Sequence, residues 1–248
     1  EASAALLEDG VVVAASEEER FSRRKHQGGT PYGAIRWALE SQGITLADVD
    51  HVAVYWDPWR LGFRARYLAG LLVREPTILP TKLRRALTVW RGNQGVNSGY
   101  VSVMRVRPNL RRAFGHDHQS VRFLDHHLSH AASAYFGSGW DEAGVLIMDG
   151  AGEEACTSLF AASGDSFRQI DAINLPHSIG QYYSAITGYL GFKMMDSEYK
   201  VMGLSPYGDT SGAKWIREHF LVDAGESGYA LRPGYLDYHR GHLGDFRG

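Results

Sequence analysis

Cysteine is almost absent from this sequence: Cys156 stands alone among 248 residues. A single cysteine excludes an internal disulfide and a cysteine-rich zinc cage and suits a reducing compartment, so a cytoplasmic location is the expectation. No apolar run approaches the ~18 residues that a membrane span needs, and no charged start leads into an apolar stretch, so neither a span nor a secretory signal is expected. Net charge is nearly absent too, at −2 with a pI near 6.6, which gives no global pull towards nucleic acid or anionic membrane. Internal repeats and low-complexity segments are also missing. What is present is 44% hydrophobic residues, enough for a sizeable core in one large domain or two small ones. The chain opens at Glu1 without a methionine and stops at Gly248 in a run that reads as unfinished, so it is expected to be part of a longer polypeptide.

Pattern along the chain suggests alternating strands and helices. "ASAALLEDGVVVAASEEERFSR" is two apolar stretches parted by Asp9-Gly10, a dipeptide that supplies the positive φ angles of a tight hairpin. "TPYGAIRWALESQG" has helical spacing, with Thr30 as the expected N-cap, Pro31 in the first turn and Gly43 at the end. "VDHVAVYW" reads as a strand, "SVRFLDHH" as a strand entering a helix, and "AGVLIMDGAGE" as a buried strand entering a glycine-rich turn. "CTSLFAAS" and "FRQIDAIN" are further strands, "SIGQYYSAITGYLGF" a helix and "EYKVMGLSPYG" a loop or short helix. This order predicts an α/β layer structure, a mixed sheet flanked by helices.

Residues 60 to 112 differ in character, with twelve Arg or Lys against one acid, Glu75, and with Trp59, Tyr67, Trp90 and Tyr100 among or beside them. Such a stretch could track a phosphate backbone. The plainer expectation is a basic helical insertion whose arginines face solvent or pair with acids elsewhere, and nucleic acid is not the expected partner.

"LDHHLSHAASAYF" places His126 and His130 four residues apart in an Ala-rich run that favours a helix, so both imidazoles lie on one side. That spacing suits hydrogen-bonded core histidines as well as a shared metal ion. His127 occupies the place where a zinc protease of similar spacing carries its general-base Glu, which argues against peptide hydrolysis. Asp149 ends the strand "GVLIMDG", expected beside that helix, and strand ends are where α/β sheets put their ligands. By itself it reads equally as a turn residue. Two imidazoles and a carboxylate leave coordination positions open and suit Fe(II), Mn or Zn. Gly150, Gly152 and Glu153 follow in "DGAGEE", where backbone N–H groups can approach phosphate or carboxylate oxygens. Lys200 and Gly203 in "EYKVMGLSPYG" offer a phosphate partner and a close approach, and Lys25 in "SEEERFSRRKH" can present a cation to an anionic substrate. Each lysine also reads as a solvated surface charge.

Taken together, the opening "EASAALLEDGVVVAASEEERFSRRKH", then "DHHLSHAASAYF", "MDGAGE", "SIGQYYSAITGYLGF" and "EYKVMGLSPYG" resemble the O-carbamoyltransferases of nodulation-factor and antibiotic biosynthesis, over about residues 2 to 208. The resemblance implies an actin-like ATPase domain of the ASKHA, RNase H-like class, related to the proteins that transfer threonylcarbamoyl to tRNA. It implies that His126, His130 and Asp149 fall on the family's metal ligands, with Fe(II) the first expectation and Mn or Zn the others. It further implies carbamoyl phosphate and ATP as co-substrates, carbamoyl-adenylate as the activated donor and a small-molecule hydroxyl as acceptor. Lys25 and Lys200 would offset negative charge, and Gly150, Gly152, Glu153 and Gly203 would line the cofactor site.

On this resemblance residues 1–59 form the first part of the actin-like domain, 60–115 the basic insertion and 116–248 its continuation. The second half of that domain and a C-terminal domain that forms carbamoyl-adenylate would lie outside the chain, which would then be inactive alone. A homodimer is the expected assembly. The competing readings are threonylcarbamoyl transfer to tRNA, a non-catalytic nucleotide- or metal-binding module, and a sugar kinase, against which the histidine pair counts.

Overall fold

A computed structural model describes residues 1–60, 69, 73, 80, 103–223, 225, 228–232, 236–237 and 245–246. The chain divides into two compact units, Glu1–Leu61 with Leu72–Leu124, and Gly62–Leu71 with Asp125–Gly248.

The first unit opens with strands β1 (Ser3–Glu8) and β2 (Val11–Glu17), an antiparallel hairpin. Asp9 and Gly10 both take positive φ, 48° and 83°, the geometry the dipeptide predicts. A short helix, α1 (Glu19–Ser22), leads to α2 (Tyr32–Ser41), which ends near Gly43 at φ 67°. Its start corrects the sequence reading. Thr30 does not cap α2: the residue preceding the helix is Pro31, and the Thr30 hydroxyl accepts a hydrogen bond from Asn109 Nδ2 at 3.0 Å. The cap comes from far away in sequence. Glu18, only 6% exposed, accepts from the N–H groups of Gly33 at 3.1 Å and Ala34 at 2.9 Å. A carboxylate there satisfies two orphan donors and meets the positive end of the helix. Replacing Glu18 by Ala is therefore expected to cost about 2 kcal/mol in urea unfolding, and Gln much less. An unchanged midpoint for the Ala variant would refute the capping role.

Strands β3 (Val52–Val54) and β4 (Val121–Phe123) pair in parallel. Helix α3 (Val106–Phe114) packs Leu110 against Leu39 and Leu46, with Ile35, Val49 and Val52 around them. Most of the basic segment 60–112 lies outside the described residues. Of its described part, Arg107 donates to the Gln119 carbonyl at 3.0 Å and Arg111 sits 3.8 Å from Asp117, both exposed.

The second unit contains α4 (His126–Ser138) and a three-stranded antiparallel sheet of β5 (Glu142–Met148), β6 (Ala155–Ser163) and β7 (Ser166–Asn174) in that order. Ala131 and Tyr135 of α4 pack on Val145 and Ile147 of β5 and on Phe160 and Ala162 of β6. Strand β5 is not buried on both faces as expected. Among the described residues it is an edge strand, and α4 covers only one of its faces, so Leu146 and Met148 remain 59% and 55% exposed. Its unbroken apolar run hid the period of two that an antiparallel edge imposes. Helices α5 (Ile179–Tyr189), α6 (Glu198–Leu204) and α7 (Ala213–Phe220) follow, then the short antiparallel pairs β8 (Leu221–Asp223) with β9 (Tyr229–Leu231) and β10 (Leu236–Asp237) with β11 (Asp245–Phe246).

The fold is α/β, as expected, but its described strands form five small sheets rather than one mixed sheet. Cys156 is buried in β6, its thiol donates to the Ile173 carbonyl at 3.0 Å, and burial pushes it up to about 11, so it is protonated and inert at neutral pH. Among the described residues no helix is long and apolar enough to cross a membrane.

Candidate metal centre

Two carboxylates fix the start of α4. Asp125, the N-cap, accepts from Leu128 N–H at 2.7 Å, and Glu153 accepts from His126 N–H at 3.1 and 3.2 Å through its two oxygens. The helix thus begins at His126, and His130 stands one turn later on the same side, the two rings 4.6 Å apart and nearly perpendicular. Gly152 lets the turn after β5 come this close, since a Cβ there would lie 3.0 Å from His127 Cδ2 and 3.3 Å from His126 Cβ.

Asp149 follows directly on β5 and keeps its ladder, donating its N–H to the Cys156 carbonyl at 2.9 Å. Its Oδ2 lies 2.8 Å from His126 Nε2 and 3.6 Å from His130 Nε2, and the two Nε2 atoms are 3.1 Å apart. One ion bonded at about 2.1 Å to each of three donors would space them roughly 3.0 to 3.4 Å apart, depending on its bond angles. The observed separations straddle that range, so shifts of a few tenths of an ångström bring the donor set onto a single divalent ion. The site opens to one side: the His126 side chain is 11% exposed, that of Asp149 35% and that of His130 50%. Burial pushes the Asp149 carboxyl up, but hydrogen bonds from His126 and the Gly150 N–H, with the two imidazoles nearby, outweigh it and hold the group below its ordinary value. The aspartate is therefore an anion at neutral pH, the state a metal ligand needs.

His127 turns the other way. Its ring is 2% exposed, Nδ1 pairs with Ser158 Oγ at 2.7 Å, and burial lowers its pKa, so it stays neutral.

The second turn of the site comes from α5. Ser178, fully buried, caps that helix by accepting from Gln181 N–H at 3.0 Å and donates to the carbonyls of Gly150 at 2.7 Å and Asp149 at 3.2 Å. Gly180 packs on the same two residues. Ser178, Gly180 and Gln181 were not nominated from the sequence. The S-x-x-Q spacing could have marked Ser178 as a cap, but nothing local marks what it holds.

The remaining nominated residues are scattered. The Gly150 N–H donates to Asp149 Oδ1 at 2.6 Å and the Gly152 N–H to the Ala155 carbonyl at 2.7 Å, so both are engaged within the chain. Glu153 is buried against the start of α4. Lys200 is exposed on α6, its Nζ 5.7 Å from the Tyr199 ring centre, and a Cβ on Gly203 would meet nothing within 4 Å. Lys25 is exposed in a turn of the first unit. That unit also gathers Glu1, Glu19 and His26, the last contacting both acids at the surface.

Residues 1–242 match the family described as carbamoyltransferase N-terminus. The chain belongs to that family. Among curated relatives of this carbamoyltransferase-family chain, the uncharacterized protein sll1178 of Synechocystis sp. is 37% identical over 248 residues, covering 97% of the chain and 38% of the relative. Nodulation protein NolNO of Sinorhizobium fredii is 34% identical over 238 residues, 95% of the chain and 31% of the relative. Nodulation protein NolO of Bradyrhizobium diazoefficiens is 36% identical over 104 residues, 41% of the chain and 19% of the relative. The chain thus spans between three tenths and two fifths of the first two relatives' length.

Proposed function

We propose that the protein transfers a carbamoyl group from carbamoyl phosphate, activated with ATP as carbamoyl-adenylate, to a hydroxyl of a small-molecule acceptor. The observation that carries this reading is an open three-donor centre, His126, His130 and Asp149, at a strand end of a chain from the carbamoyltransferase family. The nodulation names of two relatives favour a nodulation factor as the acceptor. On this reading the two units are the beginning of an actin-like domain.

In the transfer step the acceptor oxygen attacks the carbamoyl carbon, the carbon–oxygen bond to the adenylate phosphate breaks, AMP departs with the electron pair, and the hydroxyl proton passes to solvent. A divalent ion, Fe(II) in first place with Mn or Zn as the others, would supply Lewis-acid charge at that phosphate. His126 and His130 would hold it as neutral imidazoles and Asp149 as an anion. Glu153, through the backbone of His126, keeps the first histidine in place, and Ser178 keeps the Asp149 backbone in place. Lys200 and Lys25 are free to reach anionic substrate groups only in the sense that each is exposed.

Atom balance sets the test. Carbamoyl-adenylate retains one phosphorus of ATP, so each carbamate ester should appear with one AMP, one pyrophosphate and one phosphate. The complete gene product, incubated with carbamoyl phosphate, ATP and a chitin-type oligosaccharide, is expected to give an acceptor heavier by one carbamoyl group in mass spectrometry. ADP with a phosphorylated acceptor would overturn the proposal in favour of a kinase.

A further inference from the structure

Gln181 carries a polar group that is unsatisfied among the described residues, beside the candidate metal centre. Its backbone is fixed in the first turn of α5 by the Ser178 cap, 3.0 Å from N to Oγ. Its side-chain amide lies over Gly150, the residue after the ligand Asp149: a Cβ built on Gly150 would stand 3.3 Å from Gln181 Nε2 and 4.0 Å from Cδ. A side chain on residue 150 would push the amide away, so the glycine and the glutamine share one space. Within it Oε1 is shielded from solvent and has no hydrogen-bond partner among the described residues. An orphaned buried amide oxygen is a standing cost to the fold. The backbone beneath it is held as well, because Ser178 Oγ donates to the carbonyls of both Asp149 and Gly150.

We infer that the Gln181 carboxamide is the receptor for the carbamoyl group itself, a specificity residue of the site; the inference rests on the transfer reaction proposed above. A carbamoyl group carries an N–H donor and a C=O acceptor side by side, and a primary amide offers the complementary pair. The two make a flat, two-bond match in either orientation of the glutamine oxygen and nitrogen. The bond to the carbamoyl N–H fills the orphaned acceptor, and the bond from the glutamine N–H draws electron density onto the carbamoyl oxygen as the acceptor attacks. An acyl group of the same size without N–H, such as acetyl, leaves the oxygen orphaned and is rejected. Among the nominated and observed site residues Gln181 is the one whose chemistry distinguishes a carbamoyl group from other acyl groups; the histidines and Asp149 read only charge.

The test uses the complete gene product, with Gln181→Met as a near-isosteric variant lacking both hydrogen-bonding groups and Gln181→Glu as one that keeps only acceptors. Metal content, melting temperature, AMP release without acceptor, and kcat/KM for carbamate formation are measured on each. For Gln181→Met, carbamate formation is expected to fall roughly 10- to 100-fold, with acceptor-independent AMP release falling alongside it, metal content unchanged and the melting temperature not lowered; Gln181→Glu is expected to lie between the two. An active wild type matched by Gln181→Met overturns the inference alone. A wild type that makes no carbamate overturns the transfer reaction and this inference with it. Loss of bound metal or of several degrees of melting temperature together with activity makes Gln181 a structural residue and overturns the assignment.

Discussion

His126→Ala and His130→Ala are each expected to weaken binding of Fe(II), Mn(II) or Zn(II) by more than about 100-fold, a loss exceeding what removing a mere supporting group costs. The unmodified protein, loaded anaerobically, is expected to carry near-stoichiometric metal in elemental analysis. Three donor atoms stand 2.8, 3.1 and 3.6 Å from one another, and removing either imidazole leaves only two. Neither variant should unfold the helix. Alanine is the strongest helix former, and the bonds that start α4 run to the backbone N–H of residue 126 and to that of Leu128, which the substitutions leave intact. His127→Ala is the control, since that ring faces Ser158 and should change stability rather than metal content. Equal metal in all four proteins would refute the centre.

Much of this site was legible because its parts announce themselves locally. The i, i+4 spacing in an Ala-rich run puts His126 and His130 on one face whatever the fold does elsewhere, and an aspartate before Gly150 marks the end of an apolar strand. Asp9-Gly10 is legible for the same reason: two adjacent residues carry the whole turn. What the sequence hid is non-local. The cap of α2 comes from Glu18, fifteen and sixteen residues away from the amides it meets, so Thr30, the local candidate, was preferred and is otherwise engaged. Glu153, read as a ligand contact because it follows two glycines, reaches back 27 residues to the first turn of α4. Leu146 and Met148 are as apolar as a doubly covered strand requires, and only the packing of α4 on the opposite face, through Val145 and Ile147, shows that theirs is the open one. Ser178, Gly180 and Gln181 matter here through contacts across about thirty residues, which no window-based pattern contains.

Gly180→Ala sets those two kinds of information against each other. Judged locally, a glycine in the first turns of an eleven-residue helix is a weakness, and alanine should stabilise it by up to about 1 kcal/mol. Judged by its surroundings, the substitution should do the reverse. A Cβ at residue 180 would stand 2.5 Å from the Asp149 carbonyl oxygen, 2.6 Å from its carbon and 2.7 Å from Gly150 N, all backbone atoms. That segment cannot yield cheaply: the Asp149 N–H is tied to β6, and Ser178 Oγ holds both carbonyls from the other side. We expect Gly180→Ala to destabilise the fold by about 3 kcal/mol, the upper end of overpacking costs, and to weaken metal binding at least tenfold as the Asp149 carboxylate is carried away from His126. Gly137→Ala supplies the contrast. It lies within α4, with nothing within 4 Å of a built Cβ, and should gain up to about 1 kcal/mol with metal binding unchanged. Urea unfolding of the two variants beside the unmodified protein reads the difference in sign. If both gain stability, helix propensity alone governs residue 180, and the close seating of α5 on the Asp149–Gly150 backbone is refuted.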